Sequence, residues 1–335
     1  MKLSTLCKKL MCILNHRTLS LDEARRSLLA IAKKASTQRS IGAKSGFKMR
    51  INLLHSVLRL ILFLGLSIVF VFGCSNSKNN TDSMDTETSE TIQVIAHRGG
   101  AKLAPENTIA AFKKAISLGV EMIEIDVILS KDSAVIVIHD DTIDRTTDGS
   151  GVVKEMTLEE IRQYDAGSWF DEKFAGEIVP TLDEVFETIN GQCILLIEIK
   201  DGDEEYPGLE RKVVDAIHKY EANDWVVVQS FNEQSVLRVK KMDPSLITYY
   251  LLGGNFEPFY AKLKSSPESA DLPYDGIAVS HAAINSDNSE VIKKAGYSLF
   301  VWTVNKPEDM ERLMKTSVDG IITDLPDNLQ VLMRE

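Results

Sequence analysis

Residues 91–127, TIQVIAHRGGAKLAPENTIAAFKKAISLGVEMIEIDV, contain one full period of the pattern that decides the fold. TIQVIAH (91–97) is a short apolar run of strand character. ENTIAAFKKAISLG (106–119) carries apolar residues at helical spacing and ends on a glycine. MIEIDV (122–127) is a strand again. The first strand ends on His97 and Arg98, two polar side chains that are costly to bury, and then on Gly99 and Gly100, which remove the side chain altogether. A turn explains the glycines; a site for an anion explains the whole stretch.

The same alternation runs to the end of the chain. Further strand-like runs are AVIVIH (134–139), CILLIEIK (193–200), WVVVQSF (225–231), LITYYLL (246–252), DGIAVSH (275–281), SLFVWTV (298–304) and DGIITD (319–324). Helical patterns fall between them at 181–190, 208–220, 233–242, 289–296 and 307–316. Apolar strands alternating with amphipathic helices imply a parallel sheet covered by helices. The repeat count points to an α/β fold of the (β/α)8 TIM barrel type rather than an open sheet. Nine strand candidates compete for eight positions, so one pairs outside the barrel. VILSKDSAVIVIH (127–139) reads as a hairpin turning at Lys131-Asp132-Ser133, with no room for a helix. Residues 141–180 interrupt the rhythm between a strand end and the next helix. They begin turn-rich (DTIDRTTDGSG), include a short helical TLEEIRQYD, and are expected to form a small insertion over the strand C-termini, where barrels of this kind build their sites.

The chain has 335 residues, 44% hydrophobic and 26% charged, enough for a sizeable core, and a net charge of −11. Thirteen of the 38 basic residues but only two of the 49 acids precede Cys74, which leaves 25 cations against 47 anions beyond it. That acidic body repels nucleic acid and anionic membranes, so an anionic substrate must be drawn in locally by a metal or by particular cations. Of the four cysteines only Cys193 lies in the main body, which excludes a disulfide framework there.

The front of the chain reads as a targeting segment. LILFLGLSIVFVFG (60–73) is uncharged and, at 14 residues, short for a membrane-spanning helix but suited to the apolar part of a signal peptide. It ends in Val71-Phe72-Gly73-Cys74, which resembles a bacterial lipoprotein signal with Cys74 as the lipidated residue. MRINLLHSVLRL (49–60) makes an ordinary basic lead-in, so residues 1–48 are expected to be an upstream over-extension, residues 49–73 the signal peptide, and residues 75–91 a polar flexible tether ahead of the barrel at 92–335. The expected setting is extracytoplasmic, on a bacterial membrane, with the lipid bilayer as a partner through the anchor.

The strand ends carry the chemistry. Side chains two apart on a strand share a face, so Glu124 and Asp126 point one way, as do Glu198 and Lys200. Three carboxylates converging at one barrel mouth repel unless a cation sits among them, and hard oxygen ligands suit Ca²⁺ or Mg²⁺. His97 and His139 offer a general acid and base near neutrality. Arg98 and Lys200 supply fixed positive charge for a phosphate or carboxylate, and Gly99 and Gly100 are expected to let a ligand approach the backbone. Singly, each is an ordinary strand end or salt-bridged edge. Four such pairs at successive strand ends, His97-Arg98, Glu124/Asp126, His139-Asp140 and Glu198/Lys200, describe metal-assisted phosphoester cleavage.

HRGGAKLAPENTIAAF (97–112), EIDVILSKDSAVIVIHDDTIDRTTDGSG (124–151), EIK (198–200), VWTVN (301–305) and DGIITDLP (319–326) together resemble the glycerophosphodiester phosphodiesterase family over residues 92–333. The resemblance implies catalytic roles for His97 and His139 and phosphate binding by Arg98 and Lys200. It implies one divalent cation held by Glu124, Asp126 and Glu198, and a pocket lined by Trp302 and Phe231. Glu106, in PENT, reads first as part of a helix start and second as a residue bearing on the site. The implied substrate is a small glycerophosphodiester, hydrolysed to glycerol 3-phosphate and an alcohol; neither nucleic acid nor a protein partner is implied. Lysophospholipid or polymer substrates, and a non-catalytic phosphodiester-binding lipoprotein, are the alternatives.

Overall fold

β1 (Gln93–Ala96), β2 (Met122–Leu129), β3 (Val135–Val137), β4 (Ile194–Ile199), β5 (Val226–Ser230), β6 (Ile247–Leu252), β7 (Gly276–Ser280), β8 (Ser298–Trp302) and β9 (Gly320–Thr323) form one sheet in the computed structural model. The structure describes residues 92–265 and 273–334; the expected over-extension, signal segment, Cys74 and tether lie outside the described residues. Eight strands run parallel in the order β1-β2-β4-β5-β6-β7-β8-β9, and β9 pairs with β1 from Gln93↔Gly320 to Ala96↔Thr323, so the barrel closes. The ninth strand is β3, antiparallel to β2 and outside the barrel. His139 therefore follows a hairpin strand that folds back along β2, not a stave of the barrel.

Each stave leads to a covering helix: α1 (Ile109–Leu118), α2 (Leu158–Ile161) and α3 (Leu182–Ile189) after the hairpin, then α4 (Leu209–Lys219), α5 (Glu233–Met242), α6 (Phe256–Ser265), α7 (Ser286–Lys294), α8 (Pro307–Leu313) and α9 (Pro326–Leu332). The sequence reading assigned neither α6, whose Pro258 in the first turn reads as a breaker, nor the short α9. α3 shows how the local sequence sets the outer layer. Thr181 and Glu184 cap its start reciprocally, and Leu182, Val185, Phe186 and Ile189 form its buried stripe, each worth roughly 1.5–3 kcal/mol on burial. Among the described residues, no helix is long and apolar enough to cross a membrane.

The lumen is packed solid below the mouth by Ile95, Met122, Leu196, Val227, Tyr249, Leu251, Ala278, Phe300 and Ile322. Tyr249 stacks on Phe300 at 4.5 Å, and it fits because β7 begins with Gly276, where an added Cβ would lie 2.4 Å from the Tyr249 ring. Two-residue alternation then lifts Glu124, Asp126 and Glu198 from that same inward face toward the C-terminal mouth.

The segment between β3 and α3 has a centre of its own at Asp165. Oδ1 accepts the Gly167 and Ser168 N–H groups (2.9 and 2.7 Å), and Oδ2 accepts that of Gly176. Those three backbone donors pull the Asp165 carboxyl down to about 2.

Candidate active site

Glu124 and Asp126 on β2 and Glu198 on β4 stand side by side, with Asp126 in register with Glu198. They are 1%, 1% and 8% exposed, and one oxygen from each lies within 4.8 Å of the others. Two cations border them. Arg98 Nε is 3.2 Å from Asp126 Oδ2; Lys200 Nζ is 2.9 Å from Glu198 Oε1 and 3.8 Å from Asp126 Oδ1. The Arg98 backbone N–H donates to Glu124 Oε2 (2.9 Å), and Asn107 Nδ2 donates to Asp126 Oδ2 (2.9 Å).

The charges do not balance. Burial and the neighbouring Asp126 charge push Glu124 up to about 8, and the same causes raise Glu198. For Asp126, burial acts upward but Arg98 and Lys200 outweigh it and hold the carboxyl below its usual range. Two cations thus serve one carboxylate well and leave the others short of positive charge. Asp126 Oδ1 is buried and accepts no hydrogen bond. Oxygens about 2.3–2.6 Å from a shared Ca²⁺ lie at most about 5 Å apart, so this all-oxygen donor set fits a hard divalent cation.

The two histidines are held alike. His97 Nδ1 is 2.6 Å from Asp324 Oδ1, and Asp324 Oδ2 accepts the Asn305 amide (2.7 Å). His139 Nδ1 is 2.6 Å from Asp140 Oδ1. A carboxylate on Nδ1 fixes the proton there and leaves Nε2 to act. Their environments then separate them. Burial acts to lower His97, but its bond to Asp324 and the charge of Glu124 outweigh this and raise it above the ordinary histidine value. Burial lowers His139, and Arg98 and Lys200 overcome the opposing Asp126.

The turn His97–Gly99 gives the glycines after Arg98 a structural role. Arg98, Gly99 and Gly100 have φ of 51°, 83° and 91°, three successive left-handed residues. At Gly99 an added Cβ would lie 2.8 Å from Ala111 Cβ and 3.0 Å from the Phe112 ring. Both glycines serve the left-handed turn, which places Arg98 N–H on Glu124, and Gly99 also serves the close packing of α1.

His97, Arg98, Glu124, Asp126, His139, Glu198 and Lys200 are thus brought to one mouth. Phe231 and Trp302 stand at its rim, edge to face at 5.3 Å, with Phe231 46% exposed. Phe231 also lines an open cavity of about 630 Å³ with Asp141, Asp201, Glu204, Glu205 and Asn232. Glu106 does bear on the site, accepting Arg98 Nη1 at 2.8 Å. Sequence reasoning missed Asp324, Asn305 and Asn107, although all three lie inside the quoted motifs. Asp324 is the last residue of DGIITD, and the alternation argument applied to the other strand ends would have found it.

A barrel carrying this acid, base and cation set at its C-terminal mouth defines a phosphoester hydrolase by its parts. Comparison with known proteins narrows the class. Residues 97–328 match the model of the glycerophosphoryl diester phosphodiesterase family, and the chain belongs to that family of hydrolases. A glycerophosphodiester phosphodiesterase of Caldanaerobacter subterraneus subsp. tengcongensis is 50% identical over 244 residues, covering 72% of this chain and 98% of the relative. A glycerophosphodiester phosphodiesterase of Bacillus subtilis is 34% identical over 282 residues, covering 80% of this chain and 94% of the relative. Among solved structures, an Oleispira antarctica phosphodiesterase in complex with the product sn-glycerol-3-phosphate superposes with a TM-score of 0.66 at 30% identity, over 72% of this chain and 97% of its own.

Proposed function

We propose that the protein hydrolyses small glycerophosphodiesters to glycerol 3-phosphate and an alcohol, with one divalent cation held by Glu124, Asp126 and Glu198. The observation that carries this reading is the buried carboxylate triad flanked by Arg98 and Lys200 and by two histidines with Nδ1 already bound. When bound, Ca²⁺ or Mg²⁺ supplies Lewis-acid polarisation of the phosphoryl group. Arg98 and Lys200 hold nonbridging phosphate oxygens by charge-assisted hydrogen bonds. His139, lowered and neutral, takes the proton of the attacking oxygen at Nε2. His97, raised and protonated, gives a proton to the leaving alkoxide. Phe231 and Trp302 wall the substrate pocket. The attacking oxygen belongs to water or to the glycerol 2-hydroxyl; a substrate lacking that hydroxyl turns over only in the first case.

The test is release of glycerol 3-phosphate from glycerophosphocholine with Ca²⁺, with Mg²⁺ and with EDTA, beside His97→Ala. Metal-dependent release that the variant loses supports the reading; no release under any metal rejects it.

The same proposal places the enzyme outside the cytoplasm, tethered through lipidated Cys74 by residues 75–91, with translation starting at Met49. The apolar run 60–73 ending at Cys74 supports this. Intact mass of the unprocessed product and fatty-acid labelling of wild type against Cys74→Ser test it. A product starting at Met1, or label retained in the variant, rejects the corresponding part.

A further inference from the structure

Arg145 lies in the 141–151 turn, within the insertion, and its side chain is 44% exposed. All three of its guanidinium nitrogens are nonetheless engaged. Nε donates to Asp140 Oδ2 (2.6 Å), and Nη1 and Nη2 donate to Glu106 Oε2 and Oε1 (2.8 and 2.9 Å). Each acceptor holds a second group that belongs to the site. Asp140 Oδ1 is 2.6 Å from His139 Nδ1, and Glu106 Oε1 accepts Arg98 Nη1 at 2.8 Å. One line of contacts thus runs from His139 through Asp140, Arg145 and Glu106 to Arg98, and on to Asp126.

We propose that Arg145 is a positioning residue for the hydrolysis: its planar fork locks Asp140 and Glu106 in a single geometry and through them fixes the His139 ring and the Arg98 guanidinium. This rests on the roles given above to His139 and Arg98.

The physical case is one of competition with water. His139 and Asp140 are 32% and 31% exposed in their side chains, so an Asp140 held only by His139 would exchange that bond for water and turn away. Arg145 ties the second oxygen down and holds the Asp140 carboxyl at about 2. Glu106, 8% exposed in its side chain, lies between two guanidiniums, and each needs it to tolerate the other. The planar fork holds both carboxylates at a fixed angle; an ammonium is a compact point charge that fixes no such angle. Because the insertion carries Arg145, the insertion's fold becomes a condition of the site's geometry.

The test compares wild type, Arg145→Gln, Arg145→Lys, Asp140→Asn and the double variant Arg145→Gln/Asp140→Asn, as full chains with glycerophosphocholine and the supporting metal. The expected result is a kcat lower by about 10–100-fold in both Arg145 variants, KM nearly constant, no rescue by lysine, and a double variant no worse than the weaker single. Asp140 on its own side, Asp126 on β2, and the Arg98 and Lys200 cations face His139. With Arg145 gone, the unshared Asp140 charge favours the imidazolium, so the acid limb of kcat moves to higher pH. Ring ¹⁵N signals of His139 give a readout independent of turnover: one Nδ1–H tautomer in wild type, a mixture in Arg145→Gln. Hydrogen exchange at Gly167, Ser168 and Gly176 stays protected throughout.

Wild-type kcat and an unchanged His139 tautomer in Arg145→Gln would overturn the proposal. So would a rise in KM with additive losses, which means direct substrate contact, or lost protection around Asp165, which means a purely structural role. Absence of any turnover by wild type would instead reject the hydrolase reading, and the ¹⁵N comparison would still decide the positioning role.

Discussion

Asp324 Oδ1 lies 2.6 Å from His97 Nδ1, although the two are 227 residues apart in sequence. The pair joins the end of the first barrel strand to that of the last, and Asn305, three residues beyond β8, holds Asp324 in place. Asp324 is thereby the group that orients His97 and sustains its charge. Asp324→Asn is expected to cost about 100-fold or more in kcat with the fold intact, because a neutral amide no longer favours the proton that His97 must carry.

The opposed shifts of His97 and His139 also fix the pH profile. kcat/KM is expected to fall on the acid side as His139 gains its proton, below the usual histidine value, and on the alkaline side as His97 loses its own, above it. A glycerophosphodiester with a nitrophenol leaving group needs no general acid. His97→Ala should keep most of its activity on that substrate while His139→Ala does not; the reverse order would exchange the two roles.

Metal binding should be visible without turnover. A ligand that binds only the folded state stabilises it, by about 2.7 kcal/mol at a hundredfold excess over Kd. Adding Ca²⁺ or Mg²⁺ to chelator-treated protein is expected to raise Tm, and Glu198→Gln to abolish the rise. A shift that survives Glu198→Gln and Asp126→Asn together would place the ion elsewhere.

Gly99→Ala tests the turn. The substitution forces an L side chain to φ 83° and brings its Cβ to 2.8 Å from Ala111 Cβ. A cost of about 2–4 kcal/mol is expected in thermal or urea unfolding from strain and overpacking together. Activity should fall further than stability, because Arg98 and its N–H to Glu124 move with the turn.

Acid should loosen the insertion before the barrel. The Asp165 carboxyl is held at about 2, against about 3.9 in an unfolded chain, so its contribution is complete above about pH 4 and is lost as pH falls toward 2. Hydrogen exchange at Gly167 and Gly176 should accelerate in that window. In Asp165→Asn it should already be fast at neutral pH; equal protection in variant and wild type would show that the carboxylate is not the hub.

What could be read from the sequence follows the physics of strands. Two-residue alternation placed Glu124, Asp126, Glu198 and Lys200 on shared faces, and the barrel bears this out. Alternation does not report which strand leaves the barrel, because β3 is as apolar as any stave and only its pairing with β2 sets it apart. Asp324 and Asn305 were overlooked because neither has a charged residue two positions earlier to mark a shared face, although alternation from the inward Ile322 does point Asp324 into the mouth. Arg145 was overlooked because a turn-rich segment has no period to say where its side chains point. The glycines after Arg98 were legible as a turn, but the packing that demands Gly99 comes from Ala111 and Phe112, on a helix that begins ten residues further on.

β9 closes the barrel and leads directly into Asp324. Until it docks on β1, the sheet has two bare edges and His97 lacks its partner. A chain still emerging, or one clipped before residue 320, therefore carries nearly every reactive group but lacks the contact that orients His97. Completion of the site is thus tied to completion of the fold, because the last stave leads into the group that orients a side chain at the end of the first.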